Sequence, residues 1–221
     1  RFFHWRLAFP QVFDREEAGF DVMLGNPPWE RIKLQEKEFF ASRHPGIADA
    51  RNAAERHRMI EALAEGLQPD RQLYHDFHIA RRGAEAGSQF ARSGRFALTA
   101  VGDVNLYALF AELALHGMGR TGRSGIIVPT GIATDNSTKD YFAFITGKRC
   151  LASLYDFENR EGIFSGVHRS YKFTLLTLGH DVPQSELLFF ATRVEHLKDP
   201  RRRFHLTPGE FELLNPNTRT C

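Results

Sequence analysis

The sequence predicts an α/β fold in which a mostly parallel sheet finishes in an antiparallel hairpin. Short apolar runs that end at glycine or proline are typical of buried strands, and stretches with helical periodicity lie between them. This alternation favours parallel strands, whereas two consecutive runs late in the chain favour a hairpin. The runs predicted as strands are residues 20–24, 126–128, 151–157, 173–178 and 187–191.

The rest of the chain is organised around the stretch Phe20-Asp-Val-Met-Leu-Gly-Asn-Pro-Pro-Trp29. Its apolar run predicts a buried strand that stops at a stiff loop. Proline fixes φ and lacks a backbone donor, so the loop holds the Asn26 amide and bare carbonyl oxygens in one arrangement. Pro27 also keeps Asn26 out of the α conformation. The amide oxygen and a neighbouring carbonyl can therefore accept from one amino group, and Trp29 offers a flat face to a planar ring.

This loop resembles the Asn-Pro-Pro-aromatic motif of amino-methyltransferases that use S-adenosyl-L-methionine, above all the DNA adenine-N6 enzymes. The resemblance implies a catalytic loop of Asn26, Pro27, Pro28 and Trp29. In that family the asparagine side chain and the first proline carbonyl hold the exocyclic amine, while the aromatic residue stacks on the base. The usual aromatic is tyrosine or phenylalanine; tryptophan keeps the stacking and changes the width of the pocket.

Composition sets broad limits on the class of protein. Of the 221 residues, 42% are hydrophobic and 25% are charged, which is ordinary for a globular chain. The net charge of +2 permits nucleic-acid binding without arguing for it. Cys150 and Cys221 support neither a disulfide framework nor a zinc site and suit a reducing cytoplasm. No apolar run approaches the length of a membrane span.

Residues 31–95 are rich in the helix formers Ala, Glu and Arg and have sparse apolar positions. We expect a helical insertion that is broken at Pro45-Gly46 and at Gln68-Pro69-Asp70. His75 and His78 lie on one face of such a helix. Without a third clustered ligand they predict an exposed polar face, and no metal is expected.

A second amphipathic helix is expected to begin after Asp103, its predicted N-cap. The stretch Gly117-Met-Gly-Arg-Thr-Gly122 then has the spacing of a dinucleotide-binding loop. That loop must follow a strand and open a helix, whereas this stretch closes a helix and precedes a strand. A glycine C-cap is therefore the prediction.

Taken in order, residues 20–179 resemble the second half of a class I methyltransferase with its Rossmann-like sheet. The resemblance implies S-adenosyl-L-methionine as cofactor, bound by Asn26, Asp103 and Tyr107. It also implies that Phe164, in the hairpin loop, stacks on the face of the base opposite Trp29. Because ligands of such sheets bind at the carboxyl ends of the strands, Asn26, Thr130 and the loop around Phe164 are expected to converge there.

The helical insertion and the last residues look most like the large restriction–modification methylases of the Eco57I type, which are prokaryotic. This implies a partial catalytic domain over residues 1–195, a linker over 196–221 toward a target-recognition domain, and double-stranded DNA as substrate. No strand with a Gly-x-Gly loop precedes Phe20. The upstream half of the domain is therefore an expected partner, a fused nuclease stays open, and the chain by itself is expected to be inactive.

Two other classes of function stay open on the sequence alone. A protein-glutamine or RNA methyltransferase also presents an amide or amine to such a loop, although those enzymes are usually compact after it. A non-catalytic DNA-binding module could keep the scaffold, and loss of Asn26 would be its signature. Asn26 is present, and the long insertion favours DNA.

Overall fold

A computed structural model describes residues 4–216 and divides the chain into two compact units. One unit comprises the residues up to Glu30 and those from Phe96 onward, and the other comprises residues 31–95. The helices, in chain order, are α1 Trp5–Ala8, α2 Pro10–Phe13, α3 Glu36–Ala41, α4 Pro45–Ala48, α5 Ala53–Ala62, α6 Gln68–Arg92, α7 Leu106–Gly117, α8 Gly131–Thr134, α9 Lys139–Gly147 and α10 Pro208–Leu214.

A mixed sheet of six strands forms the first unit, in the order β1-β2-β4-β3-β5-β6. β1 is parallel to β2, and β3 is parallel to β5, whereas β4 runs antiparallel to both β2 and β3. The predicted hairpin is thus confirmed, with its second strand inserted beside β2. The strands are β1 Phe20–Gly25, β2 Met118–Pro129, β3 Leu151–Glu158, β4 Lys172–Leu178, β5 Ser185–Ala191 and β6 Phe204–Leu206.

The first strand lies at the edge of this sheet and is not buried as the apolar run predicts. Among the described residues β1 has a strand neighbour on one side, and 62% of Val22 and 81% of Leu24 are exposed. The helices α1 and α2 precede β1, and the rings of Trp5, Phe9 and Phe13 pack edge-on against Phe20. Aromatic contacts therefore cover the start of β1 and leave its later apolar side chains open.

The glycines between α7 and β2 serve the contact between two strands. α7 ends at Gly117 and β2 begins directly at Met118, so this stretch closes a helix and begins a strand, as predicted. The predicted glycine C-cap is wrong, because none of these glycines has a positive φ. A Cβ on Gly19 would lie 2.5 Å from the backbone nitrogen of Gly119. Glycine is thus required where the backbones of β1 and β2 approach each other.

The core of the sheet unit lies between the sheet and the helices α7 and α9. The Tyr141 hydroxyl of α9 donates to the Ala111 carbonyl of α7 at 3.2 Å. Glu112 of α7 is buried and accepts from the Thr99 hydroxyl at 2.6 Å. These contacts fix α7 in the core. Core side chains include Tyr107, Ala111, Leu115, Val128, Ile132, Tyr141, Phe142, Ile145, Leu151, Leu154, Leu176 and Leu187.

The described part of the predicted linker, residues 196–216, contains regular structure that packs on the sheet unit. β6 pairs with β5, and the Phe211 ring of α10 packs edge-on against Phe142 of α9 with centroids 6.0 Å apart. A capping box begins α10, in which the Thr207 hydroxyl accepts from the backbone N–H of Glu210. The residues as far as Leu214 therefore belong to the sheet unit; residues 217–221 lie outside the described residues.

The second unit, residues 31–95, is helical and has its own core. Pro45 is the first residue of α4, and Pro69 lies in the first turn of α6, so both prolines begin helices. Its core consists of Phe40, Ile47, Ile60, Leu63 and Phe77. Within residues 4–216 no three side chains gather as a metal-binding group. None of the described helices combines the length and apolar character of a membrane span.

Candidate active site

A cavity of about 320 Å³ lies at the carboxyl end of β1. β1 and the loop that follows it form one wall, and α7 forms another. Because Pro27 and Pro28 stiffen the loop, this wall is fixed by the sequence itself. The residues that line the cavity are Trp5, Met23, Leu24, Gly25, Asn26, Pro27, Pro28, Phe110, Leu113, Ala114 and Ile126.

Asn26 stands immediately after the last ladder pair of the edge strand, Gly25 with Ile126. Its side chain is exposed, and within residues 4–216 it has no hydrogen-bond partner. The amide oxygen is therefore free to accept from a ligand. The Pro27 carbonyl is held next to it by a ring that fixes φ.

Trp29 is anchored at the other end of the loop. Its indole N–H donates to the Ile127 carbonyl of β2 at 3.3 Å. The Glu30 carbonyl accepts from the backbone N–H of Leu106, at the start of α7, at 2.9 Å. The half-buried Trp29 ring lies nearly parallel to that of Tyr171, with an interplanar angle of 24° and centroids 6.5 Å apart. Tyr171 is 52% exposed, so this pair faces solvent.

Phe164, the aromatic residue predicted to face Trp29, has different partners. Its ring packs edge-on against Phe173, with centroids 5.1 Å apart. Its backbone is held by the buried Asn159, whose side chain accepts from the Phe164 N–H at 2.9 Å and donates to its carbonyl at 3.0 Å. The structure therefore places Tyr171 opposite Trp29. Sequence reasoning missed Tyr171, although its position directly before β4 puts it at the carboxyl edge of β2.

Asp103 and Tyr107, two of the residues predicted to bind the cofactor, do not line this cavity. Tyr107 is buried in the core, where burial and the charge of Asp135 raise the pKa of its hydroxyl to about 12. Asp103 is exposed in the loop before α7, and the N-cap is Asn105 instead. The next turns of α7 supply the cavity wall through Phe110, Leu113 and Ala114.

Thr130 follows β2 but does not join Asn26. Its hydroxyl donates to Asp156 of β3 at 2.5 Å, and both residues line a different cavity. Burial raises the pKa of the Asp156 carboxyl, against the opposing effects of the Thr130 hydroxyl, the Phe190 amide and the charge of Lys172. The predicted convergence at one point is therefore wrong: the carboxyl edge of the sheet carries two separate cavities.

The cavity beside Asn26 fits only part of S-adenosyl-L-methionine. Its lining offers apolar walls and one amide, and no charged side chain is among the described lining residues. The cofactor carries an ammonium, a carboxylate and a sulfonium, whose removal from water is costly unless they are paired. These residues can therefore contact the apolar parts of the cofactor, whereas its charged groups need partners from elsewhere.

Comparison with solved structures finds restriction–modification proteins. The type IIG restriction endonuclease BpuSI is similar over 90% of this chain and 20% of its own, with 19% identity and a TM-score of 0.48. The type I methyltransferase subunit from Streptococcus thermophilus is similar over 61% of this chain and 34% of its own, with 16% identity and a TM-score of 0.45. The type ISP enzyme LlaBIII is similar over 91% of this chain and 12% of its own, with 11% identity and a TM-score of 0.43.

The chain thus spans between 12% and 34% of the length of each of these proteins. No protein-family model matches the sequence, and no curated protein matches it. Because these TM-scores lie below 0.5, the assignment of a function rests on the site itself.

Proposed function

We propose that this chain carries the catalytic loop of an adenine-N6 DNA methyltransferase of a restriction–modification system, with S-adenosyl-L-methionine as the methyl donor. The observation that carries the proposal is the free Asn26 amide at the carboxyl end of β1. The rigid Pro27 carbonyl lies beside it. Trp29 follows three residues after Asn26, and its ring is stacked with that of Tyr171. An amino group attached to a planar ring matches these features better than an aliphatic amide does.

Asn26 and Pro27 would orient the nucleophile. The amine of adenine is a poor nucleophile because its lone pair is delocalised into the ring. Two acceptors that bind its two hydrogens favour the pyramidal geometry, in which the lone pair points away from both. When bound, S-adenosyl-L-methionine supplies the methyl group. The contribution of the protein is positioning and electrostatic stabilisation.

The aromatic pair would receive the base after it leaves the duplex. A base in a stacked helix cannot reach a loop of this kind and must be extruded, at a cost of a few kcal/mol. Stacking on an aromatic side chain stabilises a base by about 1–3 kcal/mol. Trp29 and Tyr171 together would therefore offset much of the cost of extrusion.

The open edge of β1 supports a second part of the proposal. Among the described residues β1 has a strand neighbour on one side only, the exposed Val22 and Leu24 make it apolar, and no described residue that lines the adjacent cavity is charged. A further strand along β1 would satisfy the free backbone groups and could bring the missing charged partners of the donor. We propose that the upstream half of the methyltransferase domain supplies this strand and that a target-recognition domain supplies most of the DNA affinity. Cofactor contacts from Asp103 and Tyr107 stay predictions.

The test is Asn26→Ala in the full-length protein, with methyl transfer to duplex DNA as the readout. We expect transfer to be abolished and DNA affinity to be nearly unchanged, because affinity comes mainly from phosphate contacts. Asn136→Ala is the control, since Asn136 is exposed and lines neither cavity. A variant at Asn26 that keeps more than about a tenth of the rate, a loss under ~1.4 kcal/mol of barrier, would remove Asn26 from the chemistry.

A further inference from the structure

A second cavity, of about 520 Å³, shares none of its described lining residues with the cavity beside Asn26. It lies where β5, β6 and α10 meet the ends of β2 and β3. Its volume falls in the range of sites for small molecules. Apolar and aromatic side chains form most of its lining: Leu187, Phe189, Phe190, Phe204, Leu206, Phe211 and Leu214.

The backbone of Phe190, which lines this cavity, has an unfavourable conformation. Its φ is +59°, in the left-handed region that a bulky residue rarely adopts. The ladder between β3 and β5 is interrupted between Tyr155 and Phe157, so Phe190 falls beside the irregularity. In spite of this strain 71% of Phe190 is exposed. A strained backbone that displays an aromatic ring to solvent points to a use for the ring.

A buried carboxylate, that of Asp156, lies in the same cavity. Asp156 is 4% exposed, and its carboxylate accepts from the Thr130 hydroxyl at 2.5 Å and from the Phe190 backbone N–H at 3.4 Å. A carboxylate has about four acceptor positions, so it can accept a further donor from a ligand. The ammonium of Lys172 lies 5.9 Å from the centroid of the Phe190 ring, at the rim of the same site.

We propose that this cavity binds a nucleobase that carries an exocyclic amino group, and that this is a second base site, distinct from the one at Asn26. The exposed rings of Phe190 and Phe204 offer flat faces for stacking, which tolerates any base. Asp156 accepts from the amino group, as acidic side chains accept from cytosine. Lys172 is placed for the phosphate of the same nucleotide. An entirely apolar ligand would leave the Asp156 carboxylate without a further donor.

The proposal goes beyond the methyltransferase assignment, and its test does not depend on methyl transfer. Saturation-transfer NMR on the 221-residue chain compares 2′-deoxycytidine with 2′-deoxyuridine, which differ in the amino or oxo group on the ring. We expect the amino-bearing nucleoside to bind about fivefold more tightly or better. Asp156→Asn should remove this preference, because the amide presents donors where the carboxylate accepts.

The variant Phe190→Gly distinguishes the effect of the ring on binding from its effect on the stability of the fold. Glycine adopts a positive φ without strain, so we expect this variant to unfold at a higher temperature while it loses nucleoside binding about tenfold. Leu67→Ala, at an exposed side chain of the helical unit, should leave binding unchanged. Equal binding of the two nucleosides, or an equal loss in Leu67→Ala and in Phe190→Gly, would overturn the proposal. The absence of a saturation-transfer signal for both nucleosides would also overturn the proposal. In that case the cavity would be better explained as a contact surface for an apolar protein partner.

Discussion

The rings of Trp29 and Tyr171 lie nearly parallel, with an interplanar angle of 24° and centroids 6.5 Å apart. Two successive carbon–carbon contacts, one on each face of an inserted ring, need about 7 Å. An inserted planar ring would therefore require the two rings to move apart from the 6.5 Å between their centroids. One ring is fixed by the hydrogen bond from Trp29 to β2, and the other is 52% exposed at the start of β4.

This relationship predicts that Tyr171, rather than Phe164, stacks on the substrate base. In the full-length protein we expect Tyr171→Ala to lower kcat/KM for methyl transfer by about 5- to 150-fold, the equivalent of about 1–3 kcal/mol of lost stacking. Tyr171→Phe keeps the ring and should stay within about twofold of the wild type. Single-turnover methyl transfer measures both variants.

Phe164→Ala is the comparison for that experiment. Because its ring packs on Phe173, its loss should lower the melting temperature and have a smaller effect on transfer by the folded protein. Fluorescence of 2-aminopurine at the target position gives an independent readout, since unstacking from neighbouring bases brightens it. A signal that changes in Phe164→Ala and not in Tyr171→Ala would contradict the assignment.

A second prediction concerns the donor. Because no charged side chain is among the described residues that line the cavity beside Asn26, the 221-residue chain should bind S-adenosyl-L-methionine no better than about millimolar, roughly −4 kcal/mol. Isothermal titration measures this directly. Micromolar binding would show that the donor site is complete in this chain, and the proposed contribution of an upstream half would then be wrong.

A third prediction concerns the edge of the sheet. Within residues 4–216 β1 pairs with a strand on one side only, and its Val22 and Leu24 side chains are exposed; such edges associate with other strands. We expect the chain to self-associate with rising concentration in analytical ultracentrifugation. A charge at the edge, Leu24→Lys, should reduce this association, whereas Leu67→Lys, in the helical unit, should not. If Leu24→Lys and Leu67→Lys reduce association equally, exposed apolar surface in general, rather than the edge of β1, causes the association.

A fourth prediction concerns acid stability. Burial opposes ionisation of Glu112, but the His116 imidazole 3.7 Å away and hydrogen bonds from the Thr99 hydroxyl and the Leu98 amide outweigh it, so the pKa of the carboxyl is lowered. A lowered pKa in the folded state stabilises the fold above the pKa of the unfolded chain, about 4.3, and this stabilisation is lost as the pH falls below that value.

Glu112→Gln should therefore reduce the free energy of unfolding by about 1–3 kcal/mol at pH 7 and by less near pH 3.5. Urea unfolding at both values measures the difference, and Glu195→Gln, on the exposed surface, is the control. A constant difference at the two pH values would mean that the charge of Glu112 contributes nothing. The neighbouring titratable groups are the exposed His116 and the buried Tyr141, whose pKa is raised by burial and by Glu112.

A fifth prediction concerns the end of the described chain. Phe211 is 3% exposed against Phe142, so Phe211→Ala should reduce the free energy of unfolding by about 3–5 kcal/mol. Leu213 lies on the same helix and is 83% exposed, so Leu213→Ala should change it by less than about 0.5 kcal/mol. Similar small effects of both variants would restore the interpretation of this region as a linker.

The sequence by itself determined the elements whose signals are local. The strand before Asn26 and the hairpin strands follow from apolar runs and from glycine or proline at their ends. The helical character of residues 31–95 follows from composition and from prolines that begin helices. The stiffness of the loop after β1 needs only the geometry of two prolines.

The tertiary structure decided what depends on residues far apart in the chain. β1 is an edge strand, and this follows from which strands pair rather than from its apolar composition. β6 is three residues long and carries little pattern of its own, so its pairing with β5 identifies it. Likewise, Tyr171 rather than Phe164 faces Trp29 because Asn159 turns the hairpin loop and packs Phe164 onto Phe173. Side-chain contacts of this kind arise from packing between distant segments, which no local period or turn residue encodes.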